Sequence, residues 1–178
     1  MPNKPVTWGK RILLILLVLF VIIQIVPKHR PDYSDITVDR SMAYMMNPPQ
    51  EVSDILEVAC YDCHSYATTY PWYSNIAPIS FWIDDHVVEG RDHLNFAEWA
   101  SYSEKQKHHK FEECVEEVKE GEMPIESYTW LHGGAKLSEA QRSTLAEWFQ
   151  TQMHTMKQEK IKPESPTETV EEDKGENQ

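Results

Sequence analysis

Cys60-Tyr61-Asp62-Cys63-His64 constrains this 178-residue chain more than any other stretch. On a helical turn, residues i, i+3 and i+4 share one face, so two thiols and an imidazole converge on one spot. That spacing lets two cysteines add across the two vinyl groups on one edge of a porphyrin while the next side chain reaches the iron. Cys60 and Cys63 are therefore candidate attachment points of one covalent haem c, and His64 is the candidate proximal iron ligand. A thioredoxin-like redox pair needs a βαβ context, which the flanks lack. A structural zinc site needs a fourth ligand and usually a second paired cluster, and the other Cys and His residues are scattered. Chance occurrence of the pentapeptide is the remaining alternative.

Upstream, Ile12 to Val26 is almost unbroken hydrocarbon between Lys10-Arg11 and Pro27-Lys28. No small-x-small cleavage site lies within reach, which favours an uncleaved signal anchor over residues 1–28 rather than a removed leader. Fifteen residues of helix cover only about 22 Å of a ~30 Å hydrocarbon layer. A transmembrane helix here therefore needs help from Trp8 and the flanking cations at the interface. Both flanks are positive, so charge alone does not orient it. Covalent haem is attached on the outer side of the bacterial inner membrane, which puts residues 31–178 on the periplasmic side of a single span.

The formal net charge is −12, and residues 31–156 hold 8 basic and 22 acidic side chains. Such a domain is repelled by phosphate backbones, which argues against nucleic acid. Redox partner proteins with a basic face suit it better.

Residues 29–46 have no clear period and read as a tether. Asn47-Pro48-Pro49-Gln50 reads as a helix start, and Val52, Ile55, Leu56 and Ala59 give the helix an apolar face that runs into Cys60. Tyr66 to Trp82 is rich in aromatics, among them Trp72 and Trp82, the candidate walls for a flat porphyrin; they are also ordinary core material. A carbonyl near Pro71 or Pro78 is the expected acceptor for the His64 Nδ1–H. Spacing from Ile79 predicts a helix that stops at Gly90. His86 lies on its apolar face, and Arg91 comes next as a candidate partner for a haem propionate. Capping boxes at Ser103–Gln106 and Ser138–Gln141 open two more helices, the first ending at Gly121. Cys114 reads as a small buried hydrophobe. Residues 47–154 form the expected haem-binding domain, and 155–178 an acidic tail without the means to build a core.

Between the last two helices, Gly121-Glu122-Met123-Pro124 places a soft thioether on a loop, and Met123 is the candidate distal ligand. Its alternatives are packing against the porphyrin, His93 or His132, and the cluster Met42, Met45 and Met46.

In these motifs, the stretch from about Ile55 to Phe149 resembles the haem-binding domain family of membrane-anchored, cytochrome-c-like proteins common in Bacteroidetes. The matching residues include Cys60-Tyr-Asp-Cys63-His64-Ser65, Tyr70-Pro-Trp-Tyr-Ser74, Ile76-Ala-Pro78, Glu89-Gly-Arg91, His93-Leu-Asn95-Phe96 and Gly121-Glu-Met-Pro124. The resemblance implies one covalent haem at Cys60, Cys63 and His64, and by similarity an axial role for Met123. Tyr66 departs from the family's usual Asn or similar polar residue just after the haem motif.

The expected architecture is mainly α-helical: a small cytochrome-c-like domain around a covalent haem, behind an N-terminal transmembrane helix. The expected function is that of a membrane-anchored monohaem c-type cytochrome passing single electrons outside the cytoplasm, a carrier rather than an enzyme. The alternative is a five-coordinate haem protein acting as a peroxidase or as a sensor of diatomic gases or redox state.

Overall fold

The computed structural model describes residues 8–28, 30, 31, 33 and 38–161. Helices dominate them: α1 (Trp8–Ile23), α2 (Met42–Met46), α3 (Gln50–Ala59), α4 (Tyr61–His64), α5 (Ile79–His93), α6 (Glu104–Glu120), α7 (Glu126–Thr129) and α8 (Glu139–Ile161). Short 3₁₀ turns join several of them, notably Trp72–Asn75 and Phe96–Ser101.

The core lies where α3 and α6 pack on α8. Trp99, Phe111, Phe149, Leu56, Leu145 and Met42 are fully buried in it. Phe111 is the hub, with its ring centroid 4.6 Å from Trp99 and 5.4 Å from Phe149. Each such ring stabilises the fold by about 1.5–3 kcal/mol through burial alone. The helix before the Cys-His motif thus rests on the last long helix, and the motif emerges from the rim of the core.

Both capping boxes form. Ser103 and Gln106 exchange bonds at the start of α6, which ends at Gly121 in the left-handed region, φ 85°. Ser138 and Gln141 do the same ahead of α8. Two sequence expectations give way. Asn47 does not start α3; it closes α2 in the left-handed region, φ 43°, and Pro49 precedes α3 without a side-chain cap. Helix α5 does not stop at Gly90 but runs to His93, because Gly90 is needed for close packing rather than for a turn. The expected tail begins inside α8, and residues 162–178 lie outside the described residues, as does the start of the chain before Trp8.

The larger correction concerns the membrane. Helix α1 has 16 residues, about 24 Å of rise against the ~30 Å of a hydrocarbon core. Among the described residues no helix is long and apolar enough to cross a membrane. The expected N-terminal transmembrane helix and signal anchor are therefore overturned. With them go the inner-membrane attachment, the single-pass periplasmic topology and the membrane-anchored cytochrome assignment. The segment after α1 instead grips the helical domain. The Gln24 amide donates to the Ala77 carbonyl at 3.1 Å and accepts from the Ala77 N–H at 2.9 Å. The Arg30 guanidinium bonds Asp84 at 2.8 Å and lies 3.8 Å from the centre of the Tyr70 ring.

Candidate haem site

The chain turns at Cys60. Its N–H closes α3 on the Leu56 carbonyl, and its own carbonyl accepts from the N–H groups of Cys63 (3.2 Å) and His64 (2.9 Å). That single turn puts Cys60, Cys63 and His64 on the wall of one cavity of about 450 Å³, within the size range of ligand sites. Neighbouring groups hold the turn still. The Asp62 carboxylate accepts from the Thr69 N–H and the Tyr128 hydroxyl, both at 2.7 Å. The Asp62 carbonyl accepts from the Thr68 hydroxyl at 2.6 Å.

His64 is oriented by α5. Its Nδ1 lies 2.9 Å from the Gly90 carbonyl oxygen and 3.0 Å from that of Leu94. Carbonyls only accept, so Nδ1 carries the proton and the neutral ring keeps its lone pair on Nε2. Metal-binding histidines are commonly fixed in this way. Burial lowers the affinity of His64 for a second proton, His93 and Lys110 lower it further, and the two carbonyls oppose both. The balance favours the neutral imidazole, the form that binds a metal. The sequence pointed to carbonyls near Pro71 or Pro78; those of Gly90 and Leu94 take that place.

Burial pushes the Cys60 thiol up to about 12 and, together with Asp62, the Cys63 thiol up to about 11. Neither cysteine is in a disulfide, nor is Cys114.

Met123 lines the same cavity from the loop after α6. Its N–H donates to the Glu117 carbonyl at 3.2 Å, and its carbonyl accepts from Arg142 at 2.9 Å. The fold thus brings Cys60, Cys63, His64 and Met123 together from distant stretches of sequence. His86 and His93 also line the cavity; Nδ1 of His86 faces the Trp82 carbonyl at 2.9 Å. Met42 is buried in the core instead, and His132 stacks on Tyr128.

The remaining sequence candidates fall outside this wall. Trp72 is 76% exposed. Trp82 borders a smaller recess that shares Cys63, His86, Ile125 and Tyr128 with the main cavity. Arg91 is not on this wall; it bonds the Ser65 carbonyl and the Thr68 hydroxyl, each at 2.8 Å. Sequence reasoning missed Lys110, Glu113 and Glu117, which with Cys114 form the face of α6 along the cavity. Their spacing of three and four residues was the available signal.

Among the described residues no group of three or more His, Cys, Asp or Glu side chains could hold a metal ion. The chain has no self-sufficient metal centre there, and this too removes support from the expected cytochrome assignment. A porphyrin asks less of a protein, because it brings four iron ligands itself and leaves two positions to side chains. One oriented imidazole, two thiols on its helical face and a thioether in the same wall match that demand.

Comparison with known families matches this chain to a haem-binding domain. The model of the haem-binding domain covers residues 18–151, about three quarters of the chain, and takes in Gln24 and Arg30 as well as the cavity. No curated protein and no solved structure matched.

Proposed function

The chain belongs to the haem-binding domain family, and on that premise we propose that it holds one haem in this cavity, covalently, with His64 on the iron. The observation that carries the reading is the imidazole of His64, whose Nδ1 is committed to the Gly90 and Leu94 carbonyls. His64 belongs to a cavity wall that also includes Cys60 and Cys63. Attachment needs no oxidant. Cys60 and Cys63 would hold the group by thioether bonds, each S–H adding across a vinyl group, with sulfur bonding one carbon of the double bond and the hydrogen passing to the other.

Met123, on the same wall, would be the second side chain to hold the iron, and Trp82, in the adjoining recess, would border the group beside Cys63. Haem supplies an iron able to change its charge by one electron. The chain supplies orientation through Gly90 and Leu94, a dry wall through Phe96, Val118 and Phe149, and a held loop through Arg142. An imidazole with a thioether raises the reduction potential of such an iron.

The test is production in a host able to mature covalent haem, followed by a haem stain on a denaturing gel. Stain should run with the full-length chain and vanish in Cys60→Ser/Cys63→Ser. A colourless chain with both thiols free refutes the proposal. Met123→Ala should leave the stain intact and open the iron to carbon monoxide.

A further inference from the structure

We propose that the haem propionates are received by Lys110 and His93, at the end of the cavity where α5 and α6 meet. The inference rests on the haem reading above and concerns which way round the haem sits.

Lys110 is the one Lys or Arg side chain on the cavity wall among the described residues. Its ammonium donates to the His93 carbonyl, which ties the last turn of α5 to the first half of α6. It also stands 5.1 Å from the centre of the Tyr102 ring. An ammonium has three hydrogens, so two remain for a carboxylate. His93 lines the same cavity and is exposed to solvent.

Among the described residues the other acidic or basic side chains on the wall, histidines aside, are carboxylates: Glu89 on α5, four residues before His93, and Glu113 and Glu117 on α6. Lys110 is therefore the one lasting attraction the wall offers an anion. Glu113 and Glu117 come after Lys110 along α6 by three and seven residues. The Glu117 carbonyl holds the Met123 N–H, so the far end of this face carries carboxylates and the distal loop. Glu113 is turned toward His109, 3.3 Å away, on the solvent side. A dianionic porphyrin edge is repelled from the Glu117 end and attracted to the Lys110 end. Arg91, the sequence candidate for this role, is bound to the Ser65 carbonyl and Thr68 and packs over the Tyr33 and Tyr66 rings.

The experiment titrates the haem-free full-length chain with hemin and, separately, with hemin dimethyl ester, which lacks the carboxylate charges. The wild-type chain should prefer hemin by roughly tenfold or more, the scale of a charge-assisted hydrogen bond. Lys110→Gln should erase most of that preference by weakening hemin and leaving the ester unchanged. Lys110→Arg should keep it, and His93→Gln should reduce it in part. A hemin-to-ester ratio untouched by Lys110→Gln overturns the propionate assignment while leaving the haem site standing. A wild-type chain that takes up neither porphyrin fails the haem reading and this inference with it.

Discussion

A Cβ placed on Gly90 would stand 2.9 Å from the carbonyl oxygen of Cys63 and 3.1 Å from its Cβ. Helix α5 therefore touches the Cys-His turn backbone to backbone, and the same Gly90 offers its own carbonyl to His64. One residue sets both the depth of the turn and the tilt of the imidazole. Gly90→Ala gains about 1 kcal/mol of helix propensity but overpacks against a main-chain atom, at roughly 1–3 kcal/mol. The expected net result is a loss of roughly 1 kcal/mol in urea unfolding, with reduced haem uptake. A variant more stable than wild type with full uptake would show that the contact yields freely.

The haem-free chain should be most stable between about pH 6.5 and 9. On the acid side, burial holds His64 below its ordinary 6.5. Its contribution is present above 6.5 and is lost as pH falls through the lower folded value. On the alkaline side, Cys60 and Cys63 are raised from 9.0 to about 12 and 11. Their contribution is present below 9.0 and is lost as pH rises through those values. Melting temperatures across this range check both slopes: His64→Gln should flatten the acid one, and Cys60→Ser/Cys63→Ser should shallow the alkaline one. For the same reason, alkylation of these two thiols at about pH 8 should run far slower than that of an exposed cysteine.

Arg30 and Asp84 form a partly buried ion pair, with side chains 19% and 8% exposed. The guanidinium also donates to Asn75 and to the Ser74 carbonyl. Arg30→Ala strands the Asp84 carboxylate, whose second oxygen is buried with no hydrogen-bond partner among the described residues. Breaking such a pair from one side costs about 3 kcal/mol or more. Arg30→Ala should lower stability by roughly that amount, and adding Asp84→Asn should recover part of it, giving a clear coupling in a double-mutant cycle. A loss below about 0.5 kcal/mol, the range of ordinary surface substitutions, would mean that this strap does not hold the domain.

The features legible in the sequence are local ones. The Cys60–His64 turn, the boxes at Ser103 and Ser138 and the stop at Gly121 each depend on residues within a turn of one another, so their spacing shows them. The acceptors of His64 are 26 and 30 residues away, and no pattern near the motif announces them. Gly90 misleads because glycine serves two ends, ending a helix or allowing close approach, and only the neighbour Cys63 decides between them. Arg91 looks suited to a propionate because its charge is visible in sequence and its direction is not. The apolar run of α1 reads correctly as hydrocarbon and wrongly as a span, because its helical length falls short.

Arg142 links α8 to the loop that carries Met123. Its Nη1 donates to the Val118 carbonyl at 3.0 Å and to the Met123 carbonyl at 2.9 Å, and its guanidinium carbon would lie 3.8 Å from a Cβ on Gly121. Two carbonyls near the end of α6 thus share one cation, and the left-handed turn at Gly121 folds the loop over it. A hydrogen bond from a charged donor contributes about 1.5–3 kcal/mol, so Arg142→Ala should cost about 2 kcal/mol in unfolding. The loss should be local first. The Met123 amide, bonded to the Glu117 carbonyl, should exchange with deuterium much faster in the variant, while amides in the middle of α6 keep their protection. If Met123 sits on the iron, Arg142→Ala should also speed carbon monoxide binding without releasing the haem. Unchanged exchange at Met123 would mean that the loop is held by its own packing and not by Arg142.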